Sequence, residues 1–266
     1  MDFEQIIALG LLQGLTEFLP VSSSAHLILL PLLLGWEDQG LAFDVAVHVG
    51  TLLAVVTYFR KDLSKLVVGL FASVFKKTQT KESYLAWMVV IGTIPVGLVG
   101  LFAGNLIEIY LRSPIVIAVA TIVFGLVLWW ADIKGERSKN EYKVTVKDAA
   151  TVGMFQVLAL IPGTSRSGIT MTAGLFLGLT REASARFSFL LSVPLIFLAG
   201  SLKSYELMTS DVLINWFPII AGVIVSSLSA FACISVFLKM LERVGMLPFV
   251  IYRLGLGAFL LYLYAA

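Results

Sequence analysis

Two apolar segments of the chain, residues 3–36 and 149–180, are cut in mid-course. The first is cut by Pro20-Val21-Ser22-Ser23-Ser24 and the second by Pro162-Gly163-Thr164-Ser165-Arg166-Ser167-Gly168. Six other stretches are predominantly apolar over about the 20 residues that a spanning helix needs: 43–59, 85–104, 114–131, 187–202, 213–238 and 246–265. Two of the six are short and need tilt or local thinning of the bilayer. In hydrocarbon every backbone polar group must find an internal partner, so a break is tolerated only where it is buried in protein or lines a wet cavity. The two broken segments are therefore expected to be re-entrant helical hairpins with their tips at membrane depth. The expected fold is an all-α polytopic membrane protein, with about six transmembrane helices and two re-entrant hairpins.

Composition agrees. Of 266 residues, 59% are hydrophobic and 14% are charged, against roughly one quarter charged in a soluble domain. A net charge of +2 leaves no broad basic face for nucleic acid. The single cysteine, Cys233, excludes a disulfide framework and reads as a packing residue. The acidic start, Asp2 and Glu4, is unlike the basic start of a cleavable signal. Trp87, Trp129, Trp130, Trp216, Tyr58, Tyr84, Tyr262 and Tyr264 fall near span ends, as an interfacial belt does.

The two breaks resemble each other. Gln13 precedes the first and Gln156 the second, and a phenylalanine-led span follows each, at Phe43 and Phe187. The chain is expected to be one membrane domain, 1–266, of two repeats, about 1–135 and about 145–266. Each repeat holds a hairpin and three spans, and an odd number of crossings inverts the second repeat. The basic loops 60–82, 132–148 and 239–243 then share one side, with Arg181 and Arg186 near it, while the other side keeps only Arg112 and Lys203. The positive-inside rule makes the basic side cytoplasmic. The hairpins enter from opposite sides and their tips meet.

The first tip gathers Gln13 and Glu17 on one helical face, three serines (Ser22, Ser23, Ser24) and His26 one turn later. Ionisable groups at membrane depth are costly and mark a functional site by default. A serine beside a base is a candidate nucleophile. The bland reading of Ser22 or Ser23 is helix capping, and it is weaker for the cluster than for any one member. The second tip offers Arg166, whose planar fork suits phosphate oxygens, and a helix N-terminus with free amides. It is not a P-loop, because Ile169-Thr170 stand where Lys-Ser/Thr is required. If the tips converge, Arg166 and two helix N-termini surround one anion, faced by Glu17, Ser23 and His26. That arrangement suits phosphoryl transfer. His48 reads as structural at least as readily as functional, and Arg253 as a snorkelling cation near the end of its span. No metal signature is present.

The stretch Gly14-Leu15-Thr16-Glu17-Phe18-Leu19-Pro20-Val21-Ser22-Ser23-Ser24-Ala25-His26, with Pro162 to Gly168, resembles the two signature motifs of the bacterial undecaprenyl-diphosphate phosphatases of the bacitracin-resistance type. The resemblance covers essentially the whole chain. It implies hydrolysis of undecaprenyl diphosphate to the monophosphate carrier of peptidoglycan synthesis, and bacitracin resistance. It also implies a multi-pass protein of the bacterial cytoplasmic (inner) membrane, with a site open to the outer, periplasmic face. The family's motif glutamate falls on Glu17, its serines on Ser22 and Ser23, its histidine on His26 and its second-motif Ser-Arg on Ser165-Arg166. Gln13 stands where some members carry a second glutamate, which puts a paired-glutamate mechanism in doubt, and Ala25 stands where glycine is usual.

The expected catalytic residues are Glu17, Ser23, His26 and Arg166. The expected substrate-binding residues are Gln13, Ser22, Ser24, Thr164, Ser165 and Ser167, around a polyprenyl diphosphate lipid. Either Ser23 or His26 is the nucleophile, with Glu17 managing protons and Arg166 and the tip amides neutralising charge. A divalent cation, Mg or Ca, is compatible with a diphosphate, and a homodimer is left open. The rival class is an inverted-repeat transporter or lipid flippase. It would explain a buried arginine and carboxylate but does not need Ser22 and Ser23 one turn from His26.

Overall fold

The computed structural model describes residues 1–209 and 215–264, and the side chains of all of these but 104–109. Eleven α-helices follow in order: α1 Phe3–Thr16, α2 Ser23–Leu34, α3 Gly40–Tyr58, α4 Arg60–Phe75, α5 Lys81–Tyr110, α6 Pro114–Lys134, α7 Val146–Val157, α8 Arg166–Phe176, α9 Arg181–Met208, α10 Trp216–Val244 and α11 Leu247–Tyr264. Short 3₁₀ turns at Glu141–Lys143 and Leu158–Leu160 precede and follow α7. The described residues contain no strand. Six helices, α3, α5, α6, α9, α10 and α11, are long and apolar enough to cross a membrane. They coincide with the six expected spans. Residues 213, 214 and 265, at the edges of two of those spans, lie outside the described residues.

Helix ends follow local chemistry. Asp2 and Gln5 form a capping box on α1, and Thr145 and Asp148 form one on α7. Ser113 caps α6 ahead of Pro114. Each broken segment is a pair of short helices that part at the expected residues, α1 from α2 and α7 from α8.

The packing pairs elements in a repeating way. α1 lies along α10 as α7 lies along α5, α3 meets α10 as α9 meets α5, and α6 packs on α11. Gly14 of α1 and Gly50 of α3 bring their backbones against Ser226 and Ser229 of α10, where any Cβ would collide. Small residues that let helices approach closely are a membrane-packing device. Basic residues gather where α4, α6, α9 and α11 end or begin. There Asp132 accepts from Arg181 Nε at 2.7 Å and Nη2 at 2.9 Å, and also from Arg137, while Arg186 bridges Asp62 and Glu141.

Two expectations need correction. Residues 60–82 are not simply a loop: α4 is an amphipathic helix whose apolar face (Val67, Val68, Phe71, Phe75) is exposed, while Leu66 and Gly69 pack on α5. Its six nearby cations suggested solvent, but cations flank amphipathic interfacial helices as readily. Arg253 does not snorkel. It is fully buried, two turns into α11. Its guanidinium donates to Gly163 O at 2.8 Å, Thr121 O at 3.0 Å and Pro20 O at 3.2 Å. One side chain thus satisfies a carbonyl at each break and ties both to α6.

Arg253→Met keeps the apolar volume and removes the guanidinium's hydrogen bonds to three carbonyls, leaving Gly163 O only Thr121 Oγ1 at 3.3 Å. Hydrogen bonds from a charged donor are worth about 1.5–3 kcal/mol each. Unfolding in detergent is expected to show a loss of about 3 kcal/mol or more. Wild-type stability in this variant would mean that the fork does not hold the breaks.

Candidate active site

The chain turns at each break through a serine in the left-handed region, Ser22 at φ 76° and Ser165 at φ 71°. A non-glycine residue there carries roughly 1–3 kcal/mol of strain, typical of places where geometry is held for a purpose. The two turns match further. Ser22 Oγ lies 3.3 Å from Ser24 Oγ, and Ser165 Oγ lies 3.2 Å from Ser167 Oγ. The residue after each turn is the first of a helix, Ser23 of α2 and Arg166 of α8, so both helices direct their free N-terminal amides toward the same region.

The tips meet. Arg166 Nη2 donates to Glu17 Oε1 at 2.8 Å, and its Nη1 donates to Ser188 O of α9 at 3.1 Å. Glu17 Oε2 accepts from Ser23 Oγ at 2.6 Å and from Gln13 Nε2 at 3.0 Å. Ser167 Oγ donates to Leu19 O at 2.8 Å, a second stitch between the breaks. Burial disfavours a bare carboxylate, and the guanidinium, the hydroxyl and the amide together compensate for it.

These groups form the polar end of a cavity of about 420 Å³. Glu17, Ser22, Ser23, Ser24, Ser165 and Arg166 line it, with His48 and Asp44 of α3 and Lys203 of α9. Leu41, Val45, Val96, Leu160, Leu195 and Ile196 make its apolar walls. A charged floor under apolar walls fits an anionic head on an apolar tail.

Of the expected site residues, Glu17, Ser22, Ser23, Ser24, Ser165 and Arg166 reach the cavity, and Gln13, His26, Thr164 and Ser167 do not line it. Gln13 sits fully buried behind Glu17. Ser167 spends its hydroxyl on the first break. Thr164 is fully buried, and its Oγ1 has no hydrogen-bond partner among the described residues. His26 faces the other way. Its Nδ1 contacts Ser22 O at 2.7 Å, its Nε2 contacts Tyr252 OH at 2.5 Å, and its ring stacks on Tyr252.

His48 is on the cavity wall, with Nε2 4.0 Å from Glu17 Oε2. The cost of an ionisable group at membrane depth applied to it as much as to His26, and Asp44 four residues before it was a second sign of a polar helical face. Among the described residues, no group of three or more His, Cys, Asp or Glu is placed to hold a metal ion.

Over residues 6–259 the chain matches the family described as bacitracin resistance protein BacA. It is 57% identical to the undecaprenyl-diphosphatase 2 of Stutzerimonas stutzeri, an alignment that covers 100% of this chain and 99% of the relative. It is 56% identical to the undecaprenyl-diphosphatase 1 of Pseudoalteromonas translucida, covering 97% of each. It is 55% identical to the undecaprenyl-diphosphatase of Nitrosococcus oceani over 100% of both.

An arginine and two helix N-termini at the cavity floor are groups that suit an anion. Orthovanadate is expected to bind the detergent-solubilised protein, and Arg166→Ala to weaken it about tenfold or more, equivalent to about 1.4 kcal/mol. Calorimetric titration checks this, and equal affinities would remove Arg166 from the anion site.

Proposed function

For a chain that belongs to the bacitracin resistance protein BacA family, we propose that the cavity between the two breaks is where undecaprenyl diphosphate loses its terminal phosphate. The protein is a multi-pass membrane phosphatase. It hydrolyses undecaprenyl diphosphate to undecaprenyl phosphate and inorganic phosphate, which recycles the lipid carrier for peptidoglycan synthesis and confers bacitracin resistance. The observation that carries the assignment of the site is one hydrogen-bonded chain across the breaks: Ser23 Oγ to Glu17, and Glu17 to Arg166.

In this reading Ser23 is the nucleophile. Its hydroxyl already donates to Glu17 Oε2, so the proton has an acceptor as Oγ attacks the terminal phosphorus. The bond from that phosphorus to the lipid phosphate oxygen breaks, and the pair leaves with undecaprenyl phosphate. Arg166 and the free amides of α2 and α8 face the charge on the transferring group. The incoming diphosphate competes with Glu17 for Arg166. Each N–H drawn to phosphate leaves the carboxylate with one partner fewer and makes it a better proton acceptor. Substrate entry thus arms the base. Gln13 holds the same carboxylate oxygen by an N–H, a task that needs no second glutamate. His26, tied at both nitrogens, serves in this reading to fix the first turn of α2.

The apolar walls receive the first isoprene units while the rest of the tail stays in lipid. Arg166 takes one oxygen of Glu17 while Ser23 and Gln13 share the other, so a divalent cation would rest mainly on the diphosphate oxygens. The matched serine turns and the repeated packing of α1 on α10 and α7 on α5 support two inverted repeats, about 1–135 and 145–266, with re-entrant hairpins. The basic ends of α4, α6 and α9 support a cytoplasmic assignment for that side of the bundle. Asp44 and Lys203, near the opposite ends of α3 and α9, then open the cavity toward the periplasmic face of the inner membrane.

Two measurements test this. Phosphate release from a long-chain polyprenyl diphosphate is expected to fall about 10³-fold or more in Ser23→Ala and Arg166→Ala with folding intact, the scale on which nucleophiles and charge-stabilising groups act. Full activity in either would displace the site. In a Cys233→Ala background, Glu37→Cys is expected to react with an impermeant thiol reagent added outside intact cells and Gln79→Cys only after permeabilisation. The reverse pattern would invert the topology.

A further inference from the structure

Both histidines share a local geometry, and only one is free to act. In each, Nδ1 faces the carbonyl four residues earlier at 2.7 Å, Ser22 O for His26 and Asp44 O for His48. A carbonyl only accepts, so Nδ1 carries the proton in both and the lone pair rests on Nε2. In His26 that lone pair takes the Tyr252 hydroxyl at 2.5 Å. In His48 it faces the cavity, 4.0 Å from Glu17 Oε2 and beyond hydrogen-bond reach of it, on a side chain 34% exposed. Ser23 Oγ is 2.6 Å from that same carboxylate oxygen. Ser23 Oγ and His48 Nε2 are thus neighbours of one carboxylate oxygen on the lining of one cavity.

We propose that His48 is a catalytic base of this enzyme, taking the proton of the water that hydrolyses the phosphoserine and releasing it to the open end of the cavity. This rests on Ser23 as the nucleophile. In the first half, Oγ of Ser23 bonds to phosphorus, the bridging P–O bond breaks toward the lipid phosphate, and the Ser23 proton goes to Glu17. In the second half, water oxygen bonds to phosphorus and its proton goes to His48 Nε2. The P–Oγ bond breaks, and Oγ recovers the proton held by Glu17. His48 then returns its proton to bulk water. The sum is lipid diphosphate plus water giving lipid phosphate and inorganic phosphate.

A single carboxylate cannot easily do both tasks. Glu17 holds the Ser23 proton at the moment the attacking water must lose its own, so a second acceptor is needed, and Glu17 and Asp44 are the carboxylates on the cavity lining. The charged groups that face His48 are Asp44 on its own helix, Glu17 at the end of α1, Arg166 of α8 and Lys203 of α9. α10, packed along α3, carries no charged residue before Lys239. Asp44 Oδ1 is engaged by Gln39 Nε2 at 2.8 Å and its charge faces Arg112, whereas His48 Nε2 lies 4.0 Å from the carboxylate oxygen that Ser23 contacts.

The test uses purified protein in detergent and a polyprenyl diphosphate labelled in its terminal phosphate. In His48→Gln, kcat is expected to fall about 10²–10⁴-fold, the usual worth of a general base, with KM little changed. Acid quenching should trap phosphoserine at Ser23, located by peptide mass spectrometry. If His48→Gln does not fold, added imidazole should restore turnover to His48→Ala. Wild-type turnover in His48→Gln, a slow variant without trapped phosphoenzyme, or no rescue of His48→Ala by imidazole would overturn the role of His48. An inactive Ser23→Ala alongside those results would leave the nucleophile assignment standing. An active Ser23→Ala would instead overturn the site itself.

Discussion

A helix break buried in protein frees backbone groups that need internal partners, and this chain has two such breaks. The rest of the structure depends on how those groups are met. Arg253 supplies donors to Pro20 O at one break and Gly163 O at the other, and Ser167 reaches Leu19 O. The partners of the first break, Arg253 and Ser167, come from the second half of the chain, and Gly163 O of the second break also accepts from Thr121 Oγ1 of the first half, so each break is completed across the halves. Convergence of the tips is thus a condition of burial before it is a feature of catalysis.

The chemistry grows from the same geometry. A left-handed serine at each break turns the chain so that a helix starts immediately afterwards, which sets Ser23 and Arg166 at matched positions. In the proposed mechanism one half contributes a nucleophile with its base, and the other a guanidinium. Two helix N-termini add partial positive charge at no cost in further side chains. The ion pair between Glu17 and Arg166 has opposed effects. It holds the empty site together, and it must loosen when phosphate arrives. Substrate binding and base activation are thereby one event.

Much of this was legible in the sequence. Length and apolar character defined the spans, since bilayer thickness admits few alternatives. Pro20 and Pro162 marked both breaks. Residues 13–26 and 162–168 carried the motifs, and the inequality of Lys and Arg between loops carries the proposed orientation. Side-chain direction was not legible. His26 and His48 both satisfied the rule that buried ionisable groups are functional, and only the fold distinguishes a ring spent on Tyr252 from one facing a cavity. Arg253 was misjudged because nearness to a span end suggests snorkelling, whereas its carbonyl partners lie up to 233 residues away. α4 was hidden by its cations, which mark solvent and membrane interface alike.

The central claim is that the two breaks form one site through Glu17 and Arg166. A double-mutant cycle of Glu17→Gln and Arg166→Met, read on unfolding free energy in detergent, tests it most directly. The account predicts a coupling of about 1–3 kcal/mol, as expected for contacting charged groups. Effects that add to within about 0.5 kcal/mol, the behaviour of distant residues, would contradict it.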